Sequence, residues 1–90
     1  MEVLLKTRSY LLTFDGRVLE VFYDMGDKSW RYHVSLITSI QLGPPDKHGM
    51  QKLNFKTKEF GERTATEIAP DQVGQAQELV AAVQQAMLAA

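Results

Sequence analysis

The sequence predicts an α+β domain that is mainly β: six to seven short antiparallel strands, then one C-terminal α-helix. Three observations carry this. Apolar and polar residues alternate with period two, in runs, from about residue 2 to 68. Glycine, proline and Asp-rich turns break those runs at 15–16, 24–28, 43–49 and 58–61. From 70 to about 87 the apolar spacing changes to that of a helix.

Residues 2–6 offer a possible first strand. Tyr10, Leu12 and Phe14 then alternate with Leu11 and Thr13, and Leu19, Val21 and Tyr23 share one face of the next run. Between them, Asp15-Gly16 is a hairpin signal of the type I′ kind, in which both central residues take positive φ. After the 24–28 turn, Tyr32, Val34, Leu36, Ile40 and Leu42 are expected on one face. Ile37 and Thr38 interrupt that alternation, which predicts a bend or bulge at 35–38 and two strands that turn a corner. Residues 50–57 alternate cleanly, with Leu53 and Phe55 inward. The threonine-rich run 63–68 has few large apolar residues and reads as an edge strand.

The closing helix has the clearest signature. Pro70 suits its first position, where a missing N–H costs nothing, and Asp71 complements the positive helix terminus. Val73, Ala76, Leu79, Val80, Val83 and Met87 form a core-facing stripe, with Gln75, Glu78, Ala82 and Gln85 expected to point away.

Ninety residues are one domain, 1–90, with a modest core; a deep cofactor pocket would hollow much of it out. The expectation is therefore a non-enzymatic module with no cofactor. Ten Lys and Arg balance eleven Asp and Glu to a net charge of −1, so no strong field favours nucleic acid. There is no cysteine, which removes disulfides, thiolate catalysis and zinc–cysteine sites. With nothing requiring an oxidising compartment, a cytoplasmic setting is the simpler expectation. The N-terminal run, broken by Lys6 and with an acidic second residue, does not read as a signal peptide.

Leu12-Thr13-Phe14-Asp15-Gly16-Arg17-Val18-Leu19 resembles the strand, tight turn, arginine, strand opening of short bacterial pleckstrin-homology-like and GRAM-like domains. Val34-Ser35-Leu36-Ile37-Thr38-Ser39-Ile40 resembles their segment in which a polar residue precedes an Ile-x-x-Ile strand. The resemblance covers nearly the whole chain, through degenerate motifs. It implies a partly open barrel of two near-orthogonal sheets, plugged at one end by the helix. It also implies binding of phosphoinositides, peptides or other proteins, mostly through loops at the opposite end. Of the lysine and arginine signature typical of phosphoinositide binders, only Lys6-Thr7-Arg8 is present.

Candidate sites are few. His33 and His48 lack a serine or carboxylate at triad spacing, and His48 sits in a solvated turn. Asp24, Asp27, Glu59 and Glu62 lie in two turns without the alternating ligands of a calcium loop, so no metal site is expected. Lys6, Arg8, Lys28, Lys58 and Arg63 lie in or beside turns. In a barrel of this kind they would form a modest anion-binding mouth, against which the interleaved acidic residues act. Trp30 and Phe60 are the interaction candidates, being large apolar residues at a strand start and a turn tip. The expected partner is a protein or peptide, a second copy paired along the 63–68 edge being one such partner; an anionic-lipid surface is the alternative.

Overall fold

The computed structural model describes residues 2–7, 10–23 and 29–89. Seven strands precede one helix: β1 (Val3–Lys6), β2 (Tyr10–Phe14), β3 (Val18–Tyr23), β4 (Ser29–His33), β5 (Ile37–Leu42), β6 (Gln51–Thr57), β7 (Arg63–Ile68) and α1 (Val73–Ala89). They form two antiparallel sheets, β1-β2-β3-β4 and β5-β6-β7, which no strand pairing joins into a closed barrel among the described residues. The mainly β, α+β class is the one the alternation predicts, and residues 2–6 do supply a strand.

Inward residues of both sheets and of α1 share one core. Leu5, Leu12, Phe14, Leu19 and Val21 come from the first sheet, Ile40, Leu53, Phe55 and Ile68 from the second, and Ala76, Leu79 and Val83 from the helix. Tyr32 meets Phe55 edge-on across the two sheets, with ring centroids 4.9 Å apart.

The β2–β3 turn corrects one expectation. Phe14 pairs with Leu19, so the loop consists of Gly16-Arg17 rather than Asp15-Gly16. Only Gly16 takes a positive φ, +103°, as the first central residue of a glycine-first hairpin loop. Asp15 keeps a negative φ and instead accepts hydrogen bonds at Oδ1 from Arg17 N and Val18 N, both at 2.9 Å. Those two bonds favour the carboxylate and hold the Asp15 pKa below its usual value. Asp46 repeats the device, accepting from His48 N and Met50 N, with the same downward shift.

The predicted bend is a 3₁₀ turn, Val34–Leu36, where the chain leaves one sheet for the other. His33 caps it: Nδ1 accepts from Ser35 N at 3.1 Å, which gives this histidine a local structural role. The turn reverses one assignment. Leu36, expected inside, is 41% exposed, and Ile37 takes the buried position. A bulge between Ile37 and Ser39 continues the irregularity into β5.

Pro70 opens a separate 3₁₀ turn, Pro70–Gln72, and the α-helix proper begins at Val73 and runs past Met87 to Ala89. Val80 sits at the edge of the buried stripe, while Ala82, expected to face away, packs partly against the core. Two helix-side glutamines fasten the sheets. Gln72 Nε2 donates to the Lys6 carbonyl on β1, and Gln84 Nε2 donates to the Ile40 carbonyl on β5 at 2.8 Å. A buried hydroxyl pair, Thr7 and Thr66 at 2.9 Å, ties the end of β1 to β7. No described buried side-chain polar atom lacks a partner. As expected, β7 is an edge strand.

Candidate functional site

The hydrogen-bond register of the first sheet determines what β4 offers to solvent. Asp15 N donates to Val18 O, and Val34 N donates to Arg17 O at 2.7 Å. Antiparallel pairs alternate between bonded and non-bonded, so Leu19–Tyr32 and Val21–Trp30 are the bonded pairs of β3 and β4. The backbone N–H and C=O groups of Ser29, Arg31 and His33 therefore point away from β3. No hydrogen bond from another described element reaches the outward groups of Arg31.

The same register turns the side chains of Trp30 and Tyr32 toward the space between the sheets. There they line two adjoining hollows. One, of about 140 Å³, is bounded by Tyr10, Val21, Trp30, Tyr32 and Phe55, with Arg63, Thr64 and Ala65 on the far wall. The other, of about 130 Å³, lies between Arg31, Tyr32 and Leu36 on one side and Thr57, Glu59 and Phe60 on the other. Tyr32 stands between them. Together they form an aromatic groove running along β4, facing the β6–β7 connection.

Hydrogen bonds at both ends hold that connection. Phe60 N donates to Thr57 Oγ1 at 3.0 Å, Thr57 N donates to Phe60 O, and Lys58 N donates to Leu36 O at 2.9 Å. Phe60 is 48% exposed and Trp30 42%. The Arg63 guanidinium lies 4.4 Å from the Phe60 ring centroid, a cation–π contact. Among the described residues Arg63 has no carboxylate within ion-pair distance. Arg31 has a loose one, Glu20 at 3.7 Å on the outer sheet face, a pair worth little at such exposure.

The structure thus brings three of the seven candidates, Trp30, Phe60 and Arg63, to one groove. Lys58 is exposed at the start of the same connection. Lys6 ends β1 beside the helix start, where Gln72 holds its carbonyl. Arg8 and Lys28 lie outside the described residues, as do Asp24 and Asp27. Among the described residues no three His, Asp or Glu side chains gather as metal ligands, and no described helix is long and apolar enough to cross a membrane.

Tyr10, Tyr32 and Phe55 were legible only as inward-facing residues. Their spacing assigns them to the buried face, whereas the splay between the sheets, which leaves that end of the face open, has no local sequence signal. A comparison of the chain with protein-family models, curated proteins and solved structures finds no match.

Proposed function

We propose that this chain is a pleckstrin-homology-like, non-enzymatic binding module that takes a protein or peptide partner in the groove along β4. The observation that carries this is the pairing of half-exposed Trp30 and Phe60 across two hollows, with the Arg63 cation at their rim. Aromatic residues and arginine are the side chains that most often anchor interfaces. The order of seven strands in two sheets followed by a helix supports the pleckstrin-homology-like reading. Fold likeness alone does not assign a function, so the groove carries the argument.

Size favours a peptide over a small molecule. Pockets for cofactors and drug-sized ligands span roughly 300–1,000 Å³. The two hollows, at about 140 and 130 Å³, each suit one apolar side chain.

Panning a phage-displayed library of random peptides against the immobilised domain tests this reading. The expected result is an enriched set sharing apolar residues at alternate positions, with binding that persists at high salt because burial dominates it. No enrichment would overturn the reading. Salt-sensitive flotation with phosphatidylserine vesicles and no peptide binding would favour a lipid surface instead.

A further inference from the structure

The geometry points to strand addition: we infer that the partner is an extended acidic-apolar peptide that lies along the free edge of β4 as a fifth strand of the first sheet. This rests on the groove reading above and specifies how the groove is filled.

The four sheet edges differ in what covers them. On β1 the outward carbonyl of Lys6 is taken by Gln72, and on β5 the outward carbonyl of Ile40 is taken by Gln84. The Thr7–Thr66 hydroxyl pair lies on the inner face of β7 and covers none of its edge. Edge β4 likewise has no glutamine on it among the described residues, and unlike β7 it lines both hollows. On β4 the outward N–H and C=O of Arg31 take no bond from another described element and form a donor and acceptor pair of the kind that templates another strand, while the His33 carbonyl is held by the 3₁₀ turn it caps.

The hollows have the spacing a strand needs. Trp30 and Tyr32 are two residues apart, about 6.6 Å along an extended chain at ~3.3 Å per residue. An added strand would alternate in the same way. Residues i and i+2 would drop into the hollows on either side of Tyr32, while its backbone bonds to Arg31. Charge selects further. The Arg63 guanidinium stacks on Phe60 at one wall with no carboxylate partner among the described residues, so a peptide Asp or Glu beside the first anchor completes it. Glu59, lining the second hollow, disfavours an acid there.

A proline at residue 31 isolates the backbone contribution. Arg31 N–H points away from β3, so Arg31→Pro removes an edge donor while leaving the β3–β4 ladder intact, the setting in which strands tolerate proline. Arg31→Ala removes the side chain and its Glu20 contact but keeps the donor. With a peptide selected from the random library, Arg31→Ala is expected to bind within a few-fold of wild type, and Arg31→Pro about tenfold or more weakly than Arg31→Ala. A second arm needs no variant protein: the same peptide, N-methylated at alternate backbone positions, should lose binding in one of the two sets and keep it in the other. Equal binding by Arg31→Pro and Arg31→Ala, or indifference to both methylated sets, overturns strand addition while leaving the groove intact. A selected peptide whose binding is unchanged by Trp30→Ala removes the groove itself.

Discussion

Replacing Leu79 with alanine is expected to destabilise the domain by about 2–5 kcal/mol, read as a fall in the urea midpoint with an unchanged slope. Leu79 is fully buried at the centre of the helix stripe, in the core cluster that both sheets share. The loss combines the transfer energy of the removed methyl groups with the cavity left behind, which a helix fastened at Gln72 and Gln84 cannot easily collapse. A small domain has only about 5–15 kcal/mol of net stability, so this one substitution removes a large share of it. The matching change Val80→Ala, at the edge of the stripe, should cost less. Equal costs at the two positions would mean that α1 does not pack by the face described.

Trp30→Ala is expected to do the reverse: to weaken binding of a library-selected peptide by a factor of about 30 or more while changing stability by no more than about 1 kcal/mol. Trp30 is 42% exposed on an edge strand, and its ring lines the first hollow rather than the core. Its removal takes away one anchor of the groove and further exposes its cross-strand partner Val21, while Leu12 and Leu19 stay in the buried cluster. Phe60→Ala should act in the same direction with an added loss of the cation–π contact to Arg63. Isothermal titration and thermal melts of the same samples separate the two effects. Loss of stability equal to that of Leu79→Ala would reassign Trp30 to the core.

Much of the fold is legible in the residues because period-two alternation and a helical stripe are local consequences of which side faces the core. The corner after His33 was visible in the same way, since Ile37 and Thr38 break the alternation. What alternation does not contain is the phase after a break. The 3₁₀ turn rotates the chain so that Leu36 emerges and Ile37 enters. Turn centring is also non-local: Asp15-Gly16 fits a type I′ loop, but the Phe14–Leu19 register and the two bonds to the Asp15 carboxylate move the loop on by one residue. At the groove, Trp30 and Phe60 could be found as large apolar residues beside turns. Arg63 was grouped with distant lysines instead, because charge type is local and the Phe60–Arg63 contact depends on how the β6–β7 connection folds.

The most direct test of the groove is to map amide and indole chemical-shift changes as a library-selected peptide is titrated into the labelled domain. Peptide binding in the groove concentrates the changes at Trp30, Arg31, Tyr32, Phe60 and Arg63. Changes concentrated instead at Gln41, Leu42, Gln77 and Ala81, which line the separate hollow between β5 and the helix, would contradict it.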